Sequence, residues 1–147
     1  MSFRPVREYL KDRLLEVDSD FEPYDEAFEN DNLGDNNFDK RFQIFYQVDG
    51  ATVSNQLTTQ DEVTARVTLF FNGSRDSQEE FDSSMDIANV YRIQCLKVDK
   101  LRPYTHLKRV VCTSIVPEPL DTNDNMIKII LTFRISMIFG LGVNLDC

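Results

Sequence analysis

The sequence predicts an α+β fold: two helices packed on one face of a four-stranded, mostly antiparallel sheet, in the order α-β-β-α-β-β with long hairpins. Three observations predict it. Apolar residues recur at helical spacing in two segments, residues 3–17 and 77–98. Four other segments alternate apolar and polar side chains with the period of a strand. Turn residues punctuate the joins between them. The 147 residues suit a single domain, taken as 1–147, with 41% hydrophobic and 28% charged residues. A chain of this size buries roughly 68–70% of its unfolded surface, so folding needs no disulfide or metal.

In the first helix Phe3, Val6, Leu10, Leu14 and Val17 form the inward stripe. Ser2 is placed to cap it, and Pro5 falls in the first turn, where a missing N–H is harmless. The first strand is Phe42 to Val48, rich in strand formers. Asp49-Gly50 then opens what reads as a polar connection to Gln60, longer than a tight hairpin and placed to cross the sheet or reach a partner. Val63, Ala65, Val67, Leu69 and Phe71 alternate through the second strand, and Asn72-Gly73 turns the chain. Ser77-Gln-Glu-Glu80 is a capping box opening the second helix. Its stripe runs Phe81, Met85, Ala88, Tyr91 (or Arg92) and Cys95, and Pro103 lies beyond its end. Lys108 to Val116 alternates loosely and Pro117-Glu-Pro119 stops it. In the last strand Ile127, Ile129, Leu131, Phe133, Ile135, Met137 and Phe139 face one way, with Lys128, Thr132, Arg134 and Ser136 opposite. At roughly 1.5–3 kcal/mol per buried side chain, that face contributes roughly 10–20 kcal/mol as an upper bound. Lys128 and Arg134, with the period of two, exclude a membrane-spanning reading of residues 126–143.

Charge is strongly segregated. The 25 acidic and 16 basic residues give a net charge of −9, yet nine carboxylates fall between Asp18 and Asp39 with no Lys or Arg among them. The remainder carries 16 of each sign and is neutral. This acidic stretch, inserted between the first helix and first strand, holds loop-forming Pro23, Gly34 and four Asn. It also holds Phe21, Tyr24, Phe28, Leu33 and Phe38, spaced as anchors for an ordered, wrapped loop. An acidic chain repels nucleic acid, so sequence-specific nucleic-acid binding is not expected.

Signatures of chemistry are sparse. The sequence contains no GxSxG, P-loop, GxGxxG, CxxC or HExxH pattern. The lone histidine, His106, follows Tyr104 in a loop and reads as a surface or hydrogen-bonded side chain rather than a general base. Asp121 to Asn125 imitates the start of a calcium loop, but Met126 and Thr132 stand where glycine and glutamate are required, so it reads as a hairpin loop. Cys95, Cys112 and Cys147 are odd in number and widely spaced, and with no signal-peptide pattern ahead of them they read as reduced thiols. No enzymatic activity, metal or cofactor is expected.

Element order along nearly the whole chain, with two local patterns, resembles the tail terminator proteins of tailed bacteriophages. One pattern is Asp39-Lys40-Arg41-Phe42-Gln43-Ile44, leading into the first strand after an Asn-rich loop. The other is Phe70-Phe71-Asn72-Gly73-Ser74-Arg75-Asp76, ending the second strand before the capped helix. The resemblance implies a homo-hexameric ring on the head-proximal end of the tail tube. The ring stops tube polymerisation, offers the head–tail joining surface and lets DNA pass through its lumen. It implies partners in the tail tube protein and a head-completion or neck protein, assembly in the host cytoplasm, and residence in the virion, with no membrane. The family has no catalytic motif, so roles rather than a site carry over.

From charge placement, Asp31, Asp35 and Asp39 are expected at the lumen or its rim. Arg66, Lys128 and Arg134, basic groups on the polar faces of strands, are the candidates for a subunit interface with a neighbour's acidic loop. Three alternatives use the same residues differently: another head–tail connector, neck or head-completion subunit; an acidic protein-interaction module unrelated to phage, such as a permuted ferredoxin-like domain; and a metal-dependent hydrolase using the acidic stretch.

Overall fold

Three helices and a five-stranded mixed sheet make up the computed structural model, which describes residues 3–24, 40–53, 58–73, 77–117 and 126–140. In chain order the elements are α1 (Arg4–Val17), β1 (Glu22–Pro23), β2 (Arg41–Val53), β3 (Thr58–Asn72), α2 (Gln78–Leu96), α3 (Val98–Leu101), β4 (Leu107–Pro117) and β5 (Met126–Gly140). Across the sheet the order is β1-β2-β3-β5-β4. Two hairpins, β2/β3 and β4/β5, are joined through the central β3/β5 pair, which runs antiparallel in continuous register from Thr58↔Gly140 to Asn72↔Met126.

The helices sit where their stripes dictate. On α1, Val6, Leu10 and Leu14 are buried, with Phe3 and Val17 partly so, and Tyr9 and Arg13 join them. Phe3 holds the cap position without a side-chain bond. Ser2, expected as the cap, lies outside the described residues. Ser77 caps α2, its Oγ accepting from the Glu80 N–H at 3.4 Å. Ala88, Tyr91 and Cys95 are buried on α2, and Phe81 and Met85 partly buried. Lys97 takes an extended conformation and ends α2; the single turn α3 follows and buries Leu101.

One apolar cluster joins these helical stripes to the inward face of the sheet. Val63, Ala65, Val67, Leu69 and Phe71 of β3 and the alternate residues Ile127 to Met137 of β5 are buried there, as the alternation predicts. Phe42 and Ile44 of β2 and Leu107 and Val110 of β4 complete it. Gly73 turns the chain into the α2 cap with φ +150°, a region L side chains avoid. A Cβ there would meet Glu80 Oε2 of α2 at 3.1 Å and Ile127 Cδ1 of β5 at 3.2 Å, so both side chains would have to shift in addition to the strained backbone.

The α+β class holds, and the finer expectation needs three corrections. The sheet has five strands, because Glu22 and Pro23 pair in parallel with Arg41 and Phe42 at its edge. A proline suits such an edge, where its missing donor leaves no gap in the ladder. The polar stretch expected as a loop from Asp49 to Gln60 is largely strand. β2 runs on to Val53 and β3 begins at Thr58, with a register shift between Val48 and Gly50 absorbing Asp49. Pairing continues there from Gly50↔Glu62 to Val53↔Thr59, so polar composition does not mark an absence of strand. Finally, α3 is a third helix, too short to show a period.

Candidate functional site

The open face of the sheet gathers the exposed polar and basic residues. Among the described residues both long helices pack on the opposite face, and the outward alternates of four strands remain: Phe45 and Gln47 on β2, Thr64 and Arg66 on β3, Thr132, Arg134 and Ser136 on β5, Arg109 and Val111 on β4. Phe45 is 60% exposed, an aromatic ring standing in solvent beside its cross-strand partner Arg66.

Register fixes how the arginines lie. Arg66 pairs with Thr132, while Thr64 pairs with Arg134, so Arg66 and Arg134 are diagonal neighbours. Arg134 pairs with Val111, and Arg109 with Ser136, so Arg134 and Arg109 are diagonal neighbours in turn. Such neighbours stand about 7–8 Å apart. The three form one diagonal across β3, β5 and β4. Glu62, Arg109, Val111, Thr113, Arg134 and Ser136 line a groove at its far end, and Phe45, Tyr46, Gln47, Thr64 and Arg66 another at its near end.

Two carboxylates near them accept hydrogen bonds from neutral groups. Glu62 Oε1 accepts from Ser136 Oγ at 2.9 Å. Asp49 accepts from Thr64 Oγ1 and from Gln47 Nε2. Those two hydrogen bonds hold the Asp49 carboxyl below its ordinary range, with a smaller contribution from the positive charge of Arg134. Among the described residues no carboxylate lies within 4.0 Å of the guanidinium of Arg66, Arg109 or Arg134.

Of the expected interface residues, the structure therefore brings Arg66 and Arg134 together and separates Lys128. That ammonium lies 5.6 Å from the centre of the Phe70 ring, which Tyr24 stacks upon at 4.5 Å. Lys128 is six residues from Arg134 on the same strand, roughly 20 Å away. Sequence reasoning missed Arg109, although Arg109, Val111 and Thr113 alternate like the residues it did find. Asp31, Asp35 and Asp39 lie outside the described residues, as do Phe28, Leu33, Phe38, Cys147 and the Asp121 to Asn125 loop. Phe21 and Tyr24 do act as anchors: Phe21 is buried edge-on against Phe71 at 5.8 Å while Tyr24 reaches Phe70 on the other face. Asp18 and Asp20 meet Lys40 at 2.7 and 3.8 Å, and Glu22 meets Arg41 at 3.3 Å.

Three further titratable groups are buried. His106 is buried, Nδ1 lying 3.4 Å from the Ile138 carbonyl, which places it with the hydrogen-bonded reading and not at the surface. Burial pushes the Cys95 thiol up to about 12 despite a contact with Tyr91 that works the other way. Asp61 is buried opposite Met137, and its Oδ1 has no hydrogen-bond partner among the described residues. Among the described residues no cluster of three His, Cys, Asp or Glu is placed to hold a metal ion, and no helix is long and apolar enough to cross a membrane. Compared with known proteins, the chain matches no family model and no curated protein at a significant level.

Proposed function

We propose that this chain is a structural virion protein that closes as a ring of six copies on the head-proximal end of a phage tail tube. There it ends tube growth, gives the neck or head-completion protein a surface to join, and leaves a lumen for DNA. The ring works by geometry, without catalysis or cofactor. One observation carries the reading beyond the resemblance in element order: a sheet with two 15-residue central strands whose outward face carries arginines that form no ion pair among the described residues, in a chain of net charge −9. A face of that kind is suited to meeting another protein surface of opposite charge. Copies related head to tail present that face and the acidic stretch to each other around a closed ring. The acidic residues Asp31, Asp35 and Asp39 then lie at the rim or lumen, where like charge lets DNA pass without adhering.

Purified protein added to tail tubes and imaged by electron microscopy tests this. Density confined to one tube end, with light scattering giving the mass of six copies, is the expected result. Binding to head connectors and not to tubes would move the chain to the neck. Binding to neither would overturn the virion reading.

A further inference from the structure

We propose that the arginine diagonal Arg66–Arg134–Arg109 is the docking surface for the acidic segment 25–39 of a second copy of this chain. The proposal deepens the ring reading by naming the two surfaces that meet.

Three arginines at successive diagonal positions, each about 7–8 Å from the next along the sheet, place like charges side by side, where they repel. Among the described residues no carboxylate forms an ion pair with them, and Glu62 and Asp49 nearby offset only part of their charge, so the face keeps a positive excess that further carboxylates would relieve. The chain itself carries the matching array. Nine carboxylates lie between Asp18 and Asp39, and Asp18, Asp20 and Glu22 are already engaged by Lys40 and Arg41. The six others, Asp25, Glu26, Glu29, Asp31, Asp35 and Asp39, fall within 25–39 with no base among them. Three arginines leave a surplus, so a segment crossing a subunit boundary still presents carboxylates at the rim.

Reach favours a second copy over the segment's own sheet. The segment leaves the described structure after Tyr24 and rejoins it at Lys40, both at the β1/β2 edge. Arg41 pairs with Phe70, whereas Arg109 lies on the row of Ser136 and Glu62, eight residues further along and three strands across. At about 3.3 Å per residue and 4.8 Å per strand that is roughly 30 Å. The middle of fifteen residues is about eight residues from either end, roughly 26 Å of fully extended chain. Its own segment can lie over Arg66 but meets Arg109 only when stretched taut. A neighbour's segment has no such tether. Duplex DNA, the other polyanion available, is opposed by the overall charge of −9.

Zero-length carbodiimide coupling reads the contact directly. Full-length Arg109→Lys protein, which keeps the charge and adds an amine, is mixed in equal parts unlabelled and ¹⁵N-labelled, concentrated at low salt and coupled. Mass spectrometry should find peptides joining position 109 to carboxylates of 25–39, about half of them uniting one labelled and one unlabelled chain. Raising salt to about 0.5 M should lower their yield several-fold. Arg66→Glu with Arg134→Glu, both at exposed positions, should remove the cross-links in the same protein. Links only within one chain, no links to 25–39, or links unaffected by the double reversal would each overturn the proposal. So would duplex DNA that binds the face and suppresses coupling. Inter-copy links in a protein that ignores tail tubes would keep the docking and discard the terminator. Tube-end binding by the double-reversal protein would do the opposite.

Discussion

Tyr9 and Tyr91 each donate a hydroxyl to the backbone of the helix that carries the other: Tyr9 to the Cys95 carbonyl at 2.6 Å, Tyr91 to the Leu10 carbonyl at 2.9 Å. The exchange fixes α1 against α2 in both position and rotation. The two bonds are not equivalent. Cys95 lies in the last turn of α2, where carbonyls have no partner further along the helix, so Tyr9 satisfies an acceptor that burial would otherwise leave open. Leu10 lies within α1 and its carbonyl already serves the helix. Arg13 reinforces the corner, its guanidinium 5.2 Å from the Tyr9 ring and Nη1 donating to the Lys100 carbonyl at 3.3 Å.

Tyr9→Phe should therefore cost more than Tyr91→Phe, about 1–3 kcal/mol for the stranded carbonyl against about 0.5–1.5 for a simple lost bond. Urea unfolding of each single variant and of the double variant measures both costs and their coupling. Equal costs, or the reverse order, would refute the distinction between the two carbonyls.

Alkali should unfold the protein from this same corner. Burial raises Tyr9 and Tyr91, holds the Cys95 thiol at about 12, and with the hydrogen bond to Asp12 takes Tyr104 to about 12. These groups bind protons more tightly folded than unfolded. Their contribution is complete below the unfolded values, about 8.5 for Cys and 10 for Tyr, and is lost as pH climbs toward the folded ones. The melting temperature should fall steeply above about pH 9, and less steeply in Tyr91→Phe. Cys95 should resist thiol reagents at pH 8 until the protein unfolds, which peptide mapping of the labelled thiols reads.

Lys40 sits in left-handed backbone at φ +56° while its ammonium holds Asp18. Lys40→Gly relieves the backbone and loses the ion pair; Lys40→Ala loses the pair and keeps the strain. The alanine variant should be the less stable by about 1 kcal/mol. Because Lys40 and the Asp20 N–H lower the Asp18 carboxyl, that contribution stands above about pH 4 and fades as pH falls. Both variants should show a shallower loss of stability in acid, measurable by thermal melts from pH 6 to 2.

The two faces of β5 should respond oppositely to truncation. Leu131→Ala, in the core, should cost about 2–5 kcal/mol, whereas Arg134→Ala on the open face should stay within about 0.5 kcal/mol. Denaturation midpoints decide this. A large loss at Arg134 would mean that the arginine supports the fold instead of waiting for a partner.

Alternation made β3, β4 and β5 legible, and the capping box with its stripe made α2 legible, because each pattern follows from burying one face. β1 escaped notice because two residues have no period. The hairpin extension through Val53 and Thr58 escaped because its side chains are polar, and periodicity registers only where one face is apolar. Arg66 and Arg134 could be picked out as outward-facing bases, yet alternation says nothing about which strands are neighbours.

By itself the sequence determined which side chains turn inward, where helices begin, and that the negative charge is concentrated in one stretch, since those depend on spacing of three and a half or two residues and on simple counting. Only the tertiary structure decided that β5 lies between β3 and β4. That register aligns Arg66, Arg134 and Arg109 from three strands and leaves Lys128 on Phe70. The physical reason is that hydrogen-bonded pairing joins residues up to 82 positions apart, as Thr58 with Gly140, and no local pattern records which ladder a strand will complete.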